Sequence, residues 1–212
     1  MARKTKEQAR ETRQKIIDAA RTVFHQWGVN RSSLDRVAQE AGLTRGAIYW
    51  HFKDKVELFH AVRANTLLPV FEEIDSIISD GSYADPLDNI GVALRRLFQI
   101  LDDCPGVRMV LETMINRCER VAEFASVQSA LDWPATEFLT RLEHAYRKAA
   151  ALGTLCSGLD PHFIAKDTAA FAYGLMCRIL ENDSDCAFRN QVRELISLHL
   201  ALRRIGLRQA GE

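Results

Sequence analysis

With 212 residues and 47% hydrophobic content, the chain is long enough for one large or two small cores. It contains no run of about 18 apolar residues, which argues against a membrane helix. Its charged start, Met-Ala-Arg-Lys-Thr-Lys-Glu, lacks the apolar stretch of a secretory leader, so a cytoplasmic protein is expected.

The formal net charge of zero hides a polarity. Residues 1–60 carry 12 Lys and Arg against 7 Asp and Glu, and the remainder carries 16 against 21. A basic head on an acidic body suits a polyanion-binding module joined to a part that the polyanion does not touch. The five cysteines, Cys104, Cys118, Cys156, Cys177 and Cys186, are odd in number and contain no C-x-x-C pair. They fit neither a disulfide framework nor a zinc site. They read as small core residues, with a thiol redox sensor as the alternative.

In chain order, nearly every segment has helical period. Ile16, Ile17, Ala20, Val23, Phe24 and Trp27 line one stripe of a first helix that Gly28 ends, and Arg10, Arg13, Lys15 and Arg21 take its other face. A second helix starts at Ser32 or Ser33, runs through Leu34, Val37, Ala38 and Ala41, and stops at Gly42. Thr44 caps a third, very short helix with Ala47 and Ile48 inward. Asp54 and Glu57 form a capping-box pattern opening a fourth helix to about Ile78. Pro69 lies inside that helix, and a bend is expected near Asn65 to Pro69.

Asp85-Pro86 supplies an N-cap and a first-turn proline for a fifth helix. Cys104-Pro105-Gly106 breaks the pattern before a sixth, about Val107 to Arg117. A seventh spans about Val121 to Ala151 with an interruption at Pro134. Asp160-Pro161 opens an eighth, and about Ala187 to Arg204 makes a ninth. The expected fold is all-α, about nine helices without a sheet.

The most specific stretch is residues 32–59. Two short helices flank a Gly-containing turn, followed by a polar, basic and aromatic rim, the pattern of a helix-turn-helix that offers its second helix to the DNA major groove. Thr44 can cap or bond phosphate, Arg45 can donate two N–H groups to a guanine, and Gly46 lets the backbone approach the bases. Tyr49, Trp50 and His51 cannot all point inward around one charged turn. Arg3 and Lys4 precede the first helix and are candidates for phosphate or minor-groove contact.

This stretch resembles the DNA-reading unit of the TetR family of bacterial one-component repressors, over roughly residues 10 to 60. The resemblance implies that Tyr49 and His51 face phosphates, that Phe52 packs inward, and that Lys55 and Ser33 grip the backbone. It further implies residues 1–53 as the DNA-binding domain and residues 54–212 as a helical ligand-binding and dimerisation domain, coupled by the helix from about 54 to 78. A palindromic operator in double-stranded DNA, read by a homodimer, follows from the half-site logic of such a unit.

The eighth helix is apolar around most of its circumference and therefore needs cover on two sides. Helices eight and nine are thus expected at the dimer interface. By the same resemblance the middle helices enclose a pocket for a small hydrophobic or amphipathic inducer. Its candidate lining is Leu67, Phe71, Leu94, Phe98, Met109, Met114, Trp133, Phe138, Phe171 and Met176, with Glu112 and Asn116 as polar anchors. Glu112 to Glu119 and Thr44 to Phe52 are similar to the AcrR/TtgR-like subgroup, the repressors of multidrug efflux pumps. No metal and no cofactor are expected.

Activation in place of repression is one alternative, and two other classes of protein are the others. An enzyme would show a P-loop, G-x-G-x-x-G, G-x-S-x-G or H-E-x-x-H, and none occurs. An architectural DNA binder without an inducer would have a body too small or too polar to enclose a cavity. About 150 residues of apolar helices argue against it.

Overall fold

The computed structural model describes residues 2–117, 125–181 and 186–204, and at 2–5, 125–135 and 186 the backbone alone. Arg3, Lys4, Trp133, Cys118 and Cys186 therefore lie outside the described side chains. Among the described residues there are nine helices: α1 (Ala2–Trp27), α2 (Leu34–Glu40), α3 (Arg45–His51), α4 (Lys55–Ser79), α5 (Pro86–Asp103), α6 (Pro105–Asn116), α7 (Ala125–Ala151), α8 (Pro161–Glu181) and α9 (Cys186–Ala201). Among the described residues the only extended pairing is an isolated bridge between Leu155 and Arg204. No described helix is long and apolar enough to cross a membrane.

The local signals decide most helix ends. Ser33 caps α2, while the buried Ser32 turns the other way and donates to Gly28 O (2.6 Å) at the end of α1. Asp54 accepts from Glu57 N (2.8 Å), and the Glu57 carboxylate accepts from Lys53 N (2.7 Å), so α4 opens on a reciprocal cap. Asp85 accepts from Leu87 N at the start of α5 and Asp160 from His162 N at the start of α8, both at 2.9 Å.

One proline departs from expectation: α7 continues through Pro134 with no interruption. α4 is one helix that contains Pro69. A proline removes one hydrogen bond of the ladder, and bonds on either side can carry a long helix across it.

Two compact units result. One comprises Met1–Pro69 with Cys104–Ala130, the other Val70–Asp103 with Leu131–Glu212. In the first, α1 packs on α2 and on α6, and α2 packs on α3. Its core gathers Ile16, Ile17, Val23, Phe24, Val37, Ile48, Phe52, Leu58, Phe59 and Val62, all buried. The Phe24 and Phe59 rings meet edge to face at 5.6 Å and fasten α4 to α1. Trp27, expected in the core stripe of α1, is 46% exposed, with the Arg36 guanidinium 4.3 Å from its ring.

In the second unit, α9 packs on α5 and α8, and Ile74, Leu87, Ile90, Leu94, Leu142, Tyr146, Ala165 and Ile196 are buried. A polar chain runs through this core. Tyr146 Oη lies 2.7 Å from Thr168 Oγ1, which lies 3.0 Å from His199 Nε2, and the Phe171 ring stacks on His199 at 3.9 Å. Arg203 donates to His199 O and to the Asp167 carboxylate. Burial, and then the positive charge of Arg203, push the His199 imidazole from 6.5 down to about 4.

The unfolded chain therefore binds a proton that the folded one refuses between those two values. Stability is full above about pH 7, falls as pH drops from about 6.5 to about 4, and loses on the order of 3 kcal/mol across that window. Denaturant unfolding at pH 7.5 and pH 5 should show this loss. His199→Gln should flatten it, and an unchanged slope would place the acid sensitivity elsewhere.

Candidate nucleic-acid interface

The turn between α2 and α3 closes through Leu43 N to Ala38 O (2.9 Å), with Gly42 at φ 64°, a conformation that a side chain resists. Thr44 Oγ1 then accepts from Ala47 N at 3.2 Å and starts α3. Ile48 is fully buried and pins α3 to the core, and Phe52 ends the helix facing inward. The Arg13 guanidinium stands 5.0 Å from the Phe52 ring. Ile48 is the one buried residue of the seven in α3, Ala47 and His51 are half-buried, and the other four face solvent.

Arg45, Gly46, Tyr49 and Trp50 are exposed, Trp50 at 72%. Arg45 donates to Tyr49 Oη at 3.2 Å, lies 5.3 Å from that ring, and pairs with Asp35 at 3.4 Å. The bond to Tyr49, and then the charge of Asp35, raise its pKa further, so it stays a cation. The pair with Asp35 is exposed on both sides, which makes it weak and easily exchanged for a nucleic-acid partner.

His51 meets the Trp50 ring edge to face at 4.5 Å. Burial, and then Arg13, lower its pKa below the ordinary imidazole value. At neutral pH it offers a phosphate a hydrogen bond and not a charge.

Gly46 is informative for what is missing around it. A Cβ built there meets only Thr44 Oγ1, at 3.9 Å. Glycine in a helix costs about 1 kcal/mol relative to alanine, and nothing in the folded chain requires it at this position. The open space suits an external surface that approaches the backbone closely.

Ser33 is exposed with its hydroxyl accepting from Arg36 N at 3.3 Å. Lys55 also has partners within the chain. Its ammonium donates to Asn30 O (2.9 Å) and Ser32 O (3.2 Å), tying the start of α4 to the loop before α2.

The residues expected to line an inducer pocket fall in both units. Leu67 of the first unit is buried, and Met109, Glu112 and Met114 are half-buried. Leu94, Phe98 and Phe138 of the second are buried, and Phe71, Phe171 and Met176 are half-buried. Glu112 is engaged by α1: its carboxylate lies 2.7 Å from His25 Nε2. Asn116 is exposed beside Arg117, whose guanidinium donates to His25 O (2.7 Å) and Gln26 O (3.3 Å) at the end of α1. Sequence reasoning missed His25 and Arg117, because partners about ninety residues apart leave no local periodicity or spacing to read. No group of three or more metal-ligating side chains occurs among the described residues.

Comparison with known proteins bears on this arrangement. Residues 16–62 match the model of bacterial regulatory proteins, tetR family. The chain is 32% identical over 205 residues to the HTH-type transcriptional regulator AcrR of Shigella flexneri, covering 95% of this chain and 94% of that one. It is 32% identical to TtgR of Pseudomonas putida, covering 85% of each. Among solved structures, NalD, the secondary repressor of the MexAB-OprM multidrug efflux pump in Pseudomonas aeruginosa, superposes with a TM-score of 0.83 at 26% identity, over 94% of this chain and 98% of that one. A SmeT–triclosan complex superposes with a TM-score of 0.81 at 28% identity, over 92% of each; SmeT represses the multidrug efflux pump SmeDEF of Stenotrophomonas maltophilia. With a relative at this identity along nearly its whole length, a matching family model over α1 to α4, and a capped, outward-facing α3, the chain belongs to the TetR family of bacterial regulatory proteins.

Proposed function

We propose that the protein is a dimeric repressor that holds a palindromic operator and releases it when a small hydrophobic molecule occupies its body, and that it governs a multidrug efflux operon in the cytoplasm. The observation that carries the reading is the end of α3, where Arg45, Tyr49 and Trp50 stand in solvent around the open Gly46. Residues 1–53 then form the reading head, with Ser33, Thr44, Arg45, Gly46, Tyr49, Trp50 and His51 at the duplex and Arg3, Lys4 and Lys55 as further phosphate contacts. Residues 54–212 form the ligand-binding and dimerising body.

One head reads one half-site, so two are needed, spaced about 34–36 Å or a multiple apart. Supporting α8 and α9 as the interface is an uncovered apolar stripe. Phe163, Tyr173, Leu198 and Leu202 are 65%, 54%, 56% and 61% exposed. A Cβ at Gly174 would meet nothing. Phe163, Ala170 and Gly174 share one side of α8, opposite its buried face, and Leu195 and Leu198 share one side of α9 with Gln191.

For the inducer, the supporting features within the second unit are the apolar side chains Leu94, Phe98 and Phe138 and the pliable Met176, which suits ligands of varied shape. The efflux reading rests on the likeness to NalD and SmeT, both repressors of multidrug efflux pumps, and the SmeT complex suggests triclosan as a probe. By linkage, inducer and operator must weaken each other by the same factor, typically about 1–3 kcal/mol.

The test is a gel shift on the DNA upstream of the protein's own gene, with and without triclosan. A retarded band that triclosan reverses is expected, and Gly46→Ala should weaken the band while raising thermal stability. Failure of purified protein to retard that DNA, or triclosan binding that leaves operator affinity unchanged, would contradict the reading.

A further inference from the structure

A cavity lies wholly within the second unit. The end of α4, the turn before α5 and the later part of α7 enclose about 240 Å³. Arg141, His144 and Lys148 recur at i, i+3 and i+7 and so line it from one face of α7. Ser79, Tyr83 and Pro86 form the opposite wall. This is a polar pocket, unlike the apolar set proposed for the inducer. It is also smaller than the roughly 300–1,000 Å³ of sites for drug-sized ligands.

The charges around it are unevenly answered. Among the described residues, His144 and Lys148 have no carboxylate partner, and Arg141 reaches Asp75 only at 3.8 Å. Asp80, on the rim, is occupied by its own turn: its carboxylate accepts from Ser82 N (3.0 Å) and Ser82 Oγ (2.7 Å). The last carbonyls of α4 are answered too, because the buried Asn89 donates from Nδ2 to Ile77 O and Asp80 O. Among the acceptors here, Asn89 Oδ1 is buried without a partner and can accept from a hydroxyl of a ligand, while the donors on α7 are open.

We propose that this cavity is a separate ligand site for a small oxyanion, a phosphate ester or a carboxylate. The planar fork of Arg141 can hold two oxygens at once, and Lys148 supplies a point charge on the same face. The site is independent of the operator and inducer reading: no residue in it belongs to the head or to the apolar set. A regulator so equipped would sense a charged metabolite alongside its hydrophobic inducer.

The experiment uses the full chain, with inorganic phosphate, glycerol 3-phosphate and succinate as probes against sodium chloride at matched ionic strength. Calorimetric titration and thermal unfolding should show saturable binding and stabilisation by at least one oxyanion. The Arg141→Ala/Lys148→Ala double variant should bind it at least about tenfold more weakly, a loss of about 1.4 kcal/mol. Both side chains are exposed, so the variant's operator affinity without oxyanion should match the parent and report an intact fold. Lys148→Gln alone provides an intermediate case. Stronger binding of the two phosphates identifies a phosphate ester, and stronger binding of succinate a carboxylate. No oxyanion exceeding chloride, or equal binding by the double variant, overturns the proposal.

Discussion

Leu198→Glu combined with Leu202→Glu should yield a folded monomer whose operator affinity is down by about 10²–10⁴, the advantage that a second tethered head provides. Both leucines are more than half exposed in the protomer, so the new carboxylates sit in water there and the fold bears them. Around a two-fold axis each would face the copy of its own patch and lose its hydration, at several kcal/mol per ion. Light scattering at micromolar concentration reads the assembly, and a gel shift reads the affinity. A dimer that still binds at full strength would move the interface away from α8 and α9.

Arg45→Ala should relax sequence choice at one base pair of each half-site, removing about 1–3 kcal/mol of discrimination. The expected signature is a selected-operator motif that becomes degenerate at that position, with modest change elsewhere. The substitution also releases Asp35, now paired with Arg45 at 3.4 Å, and a bare carboxylate beside phosphates would weaken all sequences together. Arg45→Lys separates the two effects. It keeps the charge opposite Asp35 and loses only the two-pronged geometry. A motif unchanged in both variants would remove Arg45 from base reading.

What could be read in the chain and what could not divide by range. The caps at Ser33, Thr44, Asp54 and Asp85 were legible because a side-chain oxygen and the amide it serves lie within three residues of each other. The helical stripes were legible because the period of burial is written in consecutive residues, and crowding around one turn required that at least one of Tyr49, Trp50 and His51 be exposed. Trp27 was misjudged because the stripe that places it inward ends where α1 ends, and Arg36 of α2 covers its ring instead. Pro134 was misjudged for the opposite reason: a strong local rule yielded to the turns on either side of it.

The engagements of Lys55 with Asn30 and Ser32, of Glu112 with His25 and of Arg117 with the end of α1 join segments far apart in the chain. Each concerns a polar tip that could have served several partners. For Lys55 and Glu112 the family resemblance suggested other partners, a phosphate and an inducer.

These long-range ties have a mechanical consequence. Arg117 hooks the carbonyls of His25 and Gln26, and Glu112 holds the ring of the same His25, while Arg117 O accepts from Val29 N at 3.4 Å. Ser32 in turn grips Val23 O and Gly28 O, and Lys55 fastens the same loop to the root of α4. α6 is therefore a handle bolted to the shaft of the reading head. A tug on it has little slack to take up before it arrives at Ser33, the residue on which α2 begins.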